Sequence, residues 1–201
     1  WSTLFPYTTL FRSPLVFGLH QGEALAQLQR WGGQPLPLNA SAWLPDTPGG
    51  GDPSGRLWLR LRGAEGAVRA ACARLGGEVA EAGSAAAFWQ ARRDGVLPWA
   101  VAPGQDLWRL SLPAATPALH AHTLVEWHGA QRWLLADADA AGSVRAAVRA
   151  VGGSATLLRP GAPRDVADRQ CFDPLPPVLE RIHRGLKASF DPAGIFNCGR
   201  M

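Results

Sequence analysis

Residues 57–77 of this 201-residue chain read LWLRLRGAEGAVRAACARLGG, and this stretch decides the fold. Leu alternates with larger or polar residues over 57–62, which predicts a strand with one face on a core. Apolar residues then recur at i, i+4 and i+7 over 65–77, which indicates an amphipathic helix that ends at its Gly-Gly pair. A short strand over 78–82 follows. The stretch therefore predicts a β-α-β unit.

The same pattern occurs a second time. A strand over 132–136 precedes SVRAAVRAVGG (143–153), whose Val residues repeat the apolar face, and a strand over 154–159 follows. Two further strands, over 107–112 and 123–127, are predicted between the copies. Two β-α-β units joined through such strands indicate an α+β fold, in which a ferredoxin-like antiparallel sheet carries helices on one face.

The flanking segments divide the chain into four parts. Residues 1–13 are rich in Thr and aromatic residues and contain no Ala, unlike the Ala-rich remainder, so we interpret them as non-native, such as translated adaptor sequence, with a genuine strand as the alternative. Residues 14–55 hold a short strand, a helix and a loop over 34–55 that is rich in Pro and Gly. Residues 56–160 form the ferredoxin-like domain, and residues 161–201 form a linker, a helix and a tail.

The composition argues against several classes of function. The formal charge is +4 and the pI is about 9.6, but the Arg residues are scattered without a basic block, so no nucleic-acid partner is predicted. Cys72, Cys171 and Cys198 form no Cys-x-x-Cys pair, which argues against a zinc ribbon or a local iron–sulfur cluster. His120 and His122 lie in a segment rich in Pro and Ala that is more typical of a surface, so no metal is predicted.

The chain also lacks the sequence marks of a membrane or secreted protein. No apolar run of about 18 or more residues predicts a transmembrane helix, and no signal peptide is visible. An odd number of Cys residues without such a signal fits a reducing cytosol. No Gly-x-Ser-x-Gly elbow, Walker loop or His-Glu-x-x-His motif indicates a self-contained active site.

A helix is predicted near the C-terminus. Pro176 and Pro177 begin it, because a missing N–H is not needed in the first turn. Its apolar residues are spaced three or four apart and share one face. Pro192 disfavours helical geometry in the residue before it, so the helix ends near Phe190.

The stretch from residue 183 to the end reads HRGLKASFDPAGIFNCGRM and resembles the closing segment of vanillyl-alcohol-oxidase-type flavoproteins. Two positions depart from that family's pattern, with Phe196 in place of Leu and Cys198 in place of Pro. Without that Pro the φ angle is no longer fixed, which loosens the turn. The matching residues are Phe190, Asp191, Pro192, Gly194, Ile195, Asn197, Gly199 and Arg200.

The resemblance extends upstream. Residues 23–43, 57–70, 107–113 and 125–134 are similar to the FAD-binding subunits of bacterial glycolate oxidases, and the similarity covers roughly residues 14–201. It implies a C-terminal fragment of an FAD-dependent oxidoreductase subunit that oxidises a small 2-hydroxy acid, first of all glycolate to glyoxylate. The FAD would be held mostly by an N-terminal domain, with residues 14–55 coming from that domain's side.

The resemblance also implies partners and a location. A second flavin subunit and an iron–sulfur subunit would complete a multi-subunit complex and pass electrons onward. The implied location is cytoplasmic, with at most a peripheral association with the inner membrane. The fragment alone would be inactive.

Three residues are candidates for the site. Arg109 interrupts an apolar strand and is the candidate for substrate binding, because a guanidinium suits a planar carboxylate. The capping of a sheet edge, or a pair with Glu126, are alternative roles for Arg109. Asn197 and Arg200 are candidates for contact with the flavin, with turn formation as the alternative, and no catalytic residue is identified.

Two other functions stay open at this point. The chain could be a stand-alone ferredoxin-like module that binds a small ligand or a protein. The high pI leaves a nucleic-acid binder as a further alternative, whose affinity for DNA would fall steeply with salt.

Overall fold

The computed structural model describes residues 11–46, 54–120, 123–161 and 171–197. The chain divides into two compact units, one up to Cys171 and one from Phe172 onward. The helices are α1 (Gln21–Gly32), α2 (Glu65–Leu75), α3 (Ala82–Arg93), α4 (Ala141–Ala150) and α5 (Pro177–Phe190). The strands are β1 (Phe11–Gly18), β2 (Leu38–Pro45), β3 (Gly55–Gly63), β4 (Glu78–Val79), β5 (Gln105–Ser111), β6 (Leu124–Glu126), β7 (Gln131–Asp137) and β8 (Ser154–Arg159).

The strands form one antiparallel sheet in the order β4-β1-β3-β2-β6-β7-β5-β8. The order consists of two four-stranded halves, joined where β2 pairs with β6. The first half runs β1-α1-β2-β3-α2-β4 along the chain, which is the order of a ferredoxin-like layer. The second half runs β5-β6-β7-α4-β8, with residues 112–120 where the first half has α1. The predicted α+β fold with an antiparallel sheet is confirmed, and both predicted β-α-β units are present.

Strand β2 shows that the interpretation of residues 34–55 as a loop is wrong over Leu38–Pro45. The strand is interior, because it pairs with β3 on one side and β6 on the other. Trp43 is fully buried, and its indole N–H donates to the carbonyl of Leu19 at 2.9 Å. The residues that form β2 lie among Pro, Gly and Asn residues, which are typical of turns. For this reason the composition predicts a loop where the structure has a strand. The sheet therefore continues across the predicted domain boundary after residue 55.

Strand β1 reaches into the segment interpreted as non-native. Residues 11–13 pair with residues 61–63 of β3. Backbone groups make this ladder, so any extended segment can add to a strand in this way. The non-native origin of residues 1–13 therefore stays a prediction, and residues 1–10 lie outside the described part of the chain.

Helices pack on both faces of the sheet. The buried Leu residues of β3 contact α1 and α2 in one core cluster, and Trp108 and Leu110 of β5 contact α4 in a second. Trp58 alternates with those Leu residues and so lies on the opposite face. There it stacks on Phe88 of α3, with ring centroids 4.2 Å apart. The sequence predicts helices on one face, and α3 adds a helix to the other.

The second unit consists of α5 and a closed turn. The helix begins and ends where the sequence predicts. The Asp191 carboxylate that follows accepts hydrogen bonds from the backbone N–H groups of Ile195 (3.0 Å) and Phe196 (2.9 Å) and from the ammonium group of Lys187. The predicted turn-rich tail is thus organised around one carboxylate, over the residues up to 197 that the structure describes.

Candidate functional site

The candidate site is an open cavity of about 660 Å³ on the sheet face that carries α3. Its walls come from α3, from the central strands β2, β3, β6 and β7, and from the turn between β6 and β7. Because alternate side chains of a strand point to opposite faces, Arg60 of β3 faces the cavity while Leu59 and Leu61 face the core. A concave site of this size is typical of small-ligand binding.

One wall of the cavity carries guanidinium groups that other polar side chains hold in place. Arg60 lies over the ring of Trp89, with 5.0 Å between the guanidinium carbon and the ring centroid. Its Nε donates to Oδ1 of Asn39 at 2.8 Å. Arg93 donates from Nη1 to Oε1 of Gln90 at 2.8 Å. These contacts orient the two cations and neutralise neither.

Arg92 is half-buried in the same wall. Its Nη2 donates to the carbonyl of Val96, and its guanidinium carbon lies 5.8 Å from the ring centroid of Phe88. Its Nε is buried and has no hydrogen-bond partner within the described part of the chain. Burial lowers the pKa of Arg92, and the negative charge of Glu126 opposes that shift. A buried donor that lacks an acceptor costs about 1–3 kcal/mol, so this wall favours an incoming acceptor.

The cations of this wall have no anionic counterpart in direct contact. Among the described residues, no carboxylate forms an ion pair with Arg60, Arg92 or Arg93. Burial, and then the positive charges of Arg12, Arg93 and Arg62, lower the pKa of Arg60. The wall is therefore electropositive, and an anion bound here would reduce the mutual repulsion of the cations.

Glu126 of β6 supplies the negative charge of the cavity. Its Oε2 accepts hydrogen bonds from the indole N–H of Trp133 at 2.7 Å and from Nε2 of Gln131 at 3.1 Å. The register explains this grouping, because Glu126 pairs with Gln131 across the strands, and Trp133 lies two residues further along β7. Its other oxygen, Oε1, has no hydrogen bond from the part of the chain that the structure describes.

The turn between β6 and β7 is strained. Trp127, His128 and Gly129 have φ angles of 52°, 55° and 100°, a conformation that costs about 1–3 kcal/mol for each residue other than Gly. The His128 N–H donates to Oγ of Ser41 at 2.9 Å, which helps to hold the turn. The His128 ring is half-buried, and its Nδ1 is buried with no hydrogen-bond partner among the described residues. Burial lowers the pKa of His128, which favours a neutral ring at pH 7.

The structure places Arg109 near the cavity but not in its wall. Arg109 lies on the same sheet face and pairs with Trp133, which does line the cavity. Both alternative roles fail: β5 is an interior strand, and no ion pair joins Arg109 to Glu126 within the described residues. The Nε of Arg109 is buried and has no hydrogen-bond partner from the residues that the structure describes.

The two tail candidates belong to the second unit. Asn197 has a φ of 48°, in the left-handed region where Asn is tolerated, so it serves the turn that follows Asp191. Arg200 lies outside the described residues. Whether either residue contacts a flavin stays a prediction.

Sequence reasoning missed the arginine wall and gave little weight to Glu126. Arg60 and Arg62 alternate with Leu in β3, and Arg92 and Arg93 end α3, so each looked like an ordinary solvated charge. The available signal was the charge of the last turn of α3, together with the alternation that sends Arg60 to the same face as Trp58. Only the packing of α3 on that face of the sheet brings Arg60 close to the arginines that end α3.

The walls of the cavity suit the planar ring of a flavin, whereas the N-termini of α3 and α5 do not suit its pyrophosphate. A pyrophosphate needs free backbone N–H groups, as at a helix N-terminus. At the start of α3 the Glu81 carboxylate already accepts from the N–H groups of Gly83 (2.7 Å) and Ser84 (2.6 Å), and α5 begins with Pro177, which has no N–H. The aromatic and cationic walls of the cavity, by contrast, suit a planar group.

Two further searches bear on cofactors and membranes. No group of three or more His, Cys, Asp or Glu side chains within the described residues is arranged to hold a metal ion. No helix in that part of the chain has the length and apolar character needed to cross a bilayer.

Comparison with known proteins gives one informative match. The chain is 38% identical over 181 residues to glycolate oxidase subunit GlcE of Escherichia coli (strain K12), and the match covers 89% of this chain. The chain spans about 45% of the length of that protein. No family model matches the chain, and no solved structure matches it. The match confirms the resemblance to a bacterial glycolate oxidase subunit that the sequence motifs indicate.

Proposed function

From this match over 181 residues, we propose that the chain is part of an FAD-dependent oxidoreductase subunit that oxidises a small 2-hydroxy acid, first of all glycolate to glyoxylate. The single observation that carries the proposal is the 38% identity to a glycolate oxidase subunit. The cavity supports it, because a hydroxy acid needs a cation for its carboxylate and an acceptor for its hydroxyl, and both types of group line one site.

The FAD would be held mostly by chain that this sequence does not include. When bound, a flavin accepts a hydride from the carbon that carries the hydroxyl. The residues described here would bind and orient the acid, and the aromatic side chains Trp89 and Trp133 would exclude water from it. The aromatic and cationic walls of the cavity suit a planar ring, which supports such a division.

Arg109 lies outside the cavity wall, and it is the residue proposed to face the substrate in the flavin cleft. Its Nε is buried with no partner among the described residues, so a ligand acceptor that reaches it would satisfy it. Asn197 and Arg200 are the proposed contacts of the tail with the flavin or its domain. The closed turn around Asp191 supports that role for Asn197, because it gives the tail a defined shape.

The proposed partners are a second flavin subunit and an iron–sulfur subunit, which would pass the electrons onward. The proposed location is cytoplasmic, with at most peripheral attachment to the inner membrane. Both proposals rest on the match to a subunit of glycolate oxidase, since a subunit by its name belongs to a larger assembly.

The first test is flavin content. We expect the 201-residue chain to fold and to bind FAD weakly, and the longer natural protein to retain stoichiometric FAD after purification. Flavin absorbance of both samples measures this. A yellow, stoichiometric complex of the short chain would contradict the proposed division, and a colourless longer protein would contradict the function.

The second test concerns turnover and the tail. The longer protein, in its complex, should reduce an artificial electron acceptor with glycolate and not with acetate, which has no hydroxyl to oxidise. Asn197→Ala should weaken flavin retention or turnover and leave the circular dichroism spectrum unchanged. Unaltered flavin content and turnover would remove Asn197 from the site.

The alternative is a stand-alone binding module. The two core clusters favour this alternative, because they give the sheet a buried interior of its own. The genomic reading frame upstream of codon 14 separates the two functions, because a flavoenzyme requires a Gly-rich FAD domain there.

A further inference from the structure

We propose that Arg92 and Arg60 on one wall and Glu126 on the other form a subsite that binds the two polar ends of a small hydroxy acid. The carboxylate would lie against the guanidinium groups, and the hydroxyl would donate to Oε1 of Glu126. This inference rests on the proposed function for its ligand, but its residues come from the cavity alone.

The carboxylate end follows from the unsatisfied donors. The Nε of Arg92 is buried without a partner, and none of the three arginines of the wall, Arg60, Arg92 and Arg93, has an ion pair among the described residues. A guanidinium presents several N–H groups in one plane, which matches the two oxygens of a carboxylate. The site thus has the donors of an anion subsite.

The hydroxyl end follows from the fixed carboxylate. Oε2 of Glu126 is occupied by Trp133 and Gln131, which holds the group in position and leaves Oε1 to accept from a ligand. A negative charge across the cavity also disfavours a dianion such as sulfate, because like charges would face each other. A monoanion with a hydroxyl donor matches both the guanidinium groups and Glu126, whereas acetate or sulfate matches the guanidinium groups alone.

The size of the cavity predicts its selectivity. A volume of about 660 Å³ greatly exceeds that of a two-carbon acid, and the space between the polar walls is lined by Trp89 and Trp133. The site therefore recognises the carboxylate and the hydroxyl of its ligand. It tolerates an apolar substituent on the carbon atom between these two groups. We infer that lactate and longer 2-hydroxy acids bind at least as well as glycolate.

Binding to the 201-residue chain tests the subsite directly. Tryptophan fluorescence is titrated at constant ionic strength with glycolate, lactate, acetate and sulfate. We expect saturable binding of glycolate and lactate, with acetate about tenfold weaker and sulfate weaker still. Arg92→Gln should weaken glycolate binding about tenfold or more, since a hydrogen bond to a charged group is lost. Arg149→Gln, on the exposed face of α4, is the matched control and should change nothing.

Further variants make the test independent of one residue. Arg60→Gln should weaken binding in the same direction as Arg92→Gln. Glu126→Gln should abolish the preference for glycolate over acetate while acetate still binds. Circular dichroism confirms that each variant is folded. The proposal is overturned by an absence of saturable binding, by sulfate binding as tight as glycolate, or by a loss of binding in Arg109→Gln alone.

Failure of the subsite is distinguishable from failure of the proposed function. Glycolate binding that depends on Arg92, in a protein whose longer form never oxidises glycolate, keeps the subsite and removes the function. Oxidation by the longer form that Arg92→Gln leaves unchanged keeps the function and removes the subsite.

Discussion

The two halves of the sheet have the same strand order but cover their core face differently. In the first half, α1 lies on that face, and its buried residues Leu25 and Leu28 join the core. In the second half, residues 112–120 take the place of that helix. Arg132 of β7, which is 1% exposed, donates to the carbonyls of Gly129 (3.2 Å), Pro117 (2.6 Å) and Thr116.

The difference shows how a helix and a loop cover the apolar face of a sheet in different ways. A helix covers apolar surface and satisfies its own backbone groups internally. A loop can cover the same surface, but its carbonyls then need other donors, and one buried guanidinium supplies several. The arrangement is unfavourable for the cation, because burial lowers the pKa of Arg132 to about 10.

The largest expected effect comes from removing that guanidinium. Arg132→Ala leaves three backbone carbonyls without their donor, each worth roughly 1 kcal/mol, and relief from burying a cation offsets part of the loss. We expect the free energy of unfolding to fall by about 2–3 kcal/mol, as measured by urea denaturation. Arg149→Ala, an exposed arginine of α4, should change it by less than about 0.5 kcal/mol. Equal stabilities of the two variants would show that the loop does not need Arg132.

A comparable effect is expected at Gly129, where the loop crosses the turn between β6 and β7. The residue has φ of 100°, and an added Cβ would lie 2.8 Å from the carbonyl oxygen of Ala114. Gly129→Ala should therefore cost about 2–3 kcal/mol from conformation and clash together. Gly152→Ala is the matched control: its φ is 77° with open space around it, so about 1 kcal/mol is expected. Thermal unfolding of both variants compares the two costs.

The smallest effect is expected in the tail, which belongs to neither half. The hydrogen bond from Lys187, then the N–H groups of Phe196 and Ile195, lower the pKa of Asp191. A carboxyl whose folded pKa is lowered stabilises the turn above its unfolded pKa of about 3.9, and that contribution is lost as the pH falls through the folded value. Amide hydrogen exchange should thus show the turn opening at acidic pH.

Asp191→Asn provides the control for that pH dependence. It should remove the acid transition of the Ile195 and Phe196 amides and leave the unfolding of the sheet unchanged. An acid transition of these amides that persists in this variant would contradict the role of the Asp191 carboxylate in the turn.

Local periodicity in the sequence was enough to predict most elements. The i, i+4, i+7 pattern over 65–77 and 143–153 predicts α2 and α4, and Pro177 and Pro192 bracket α5. The α+β class follows, because a strand and an amphipathic helix that alternate can bury their apolar faces only against each other. The resemblance to glycolate oxidase subunits likewise depends on residues that are neighbours in the chain.

Only the tertiary structure decided which segments are neighbours in space. It made β2 an interior strand in spite of its turn-forming flanks, because pairing with β3 and β6 outweighs local propensity. It also brought Arg60, Arg92 and Glu126 into one cavity, although they lie on three elements far apart in the sequence. A sequence pattern shows the periodicity of each element. The register between strands and the side on which a helix packs depend instead on contacts between residues that are far apart in the sequence.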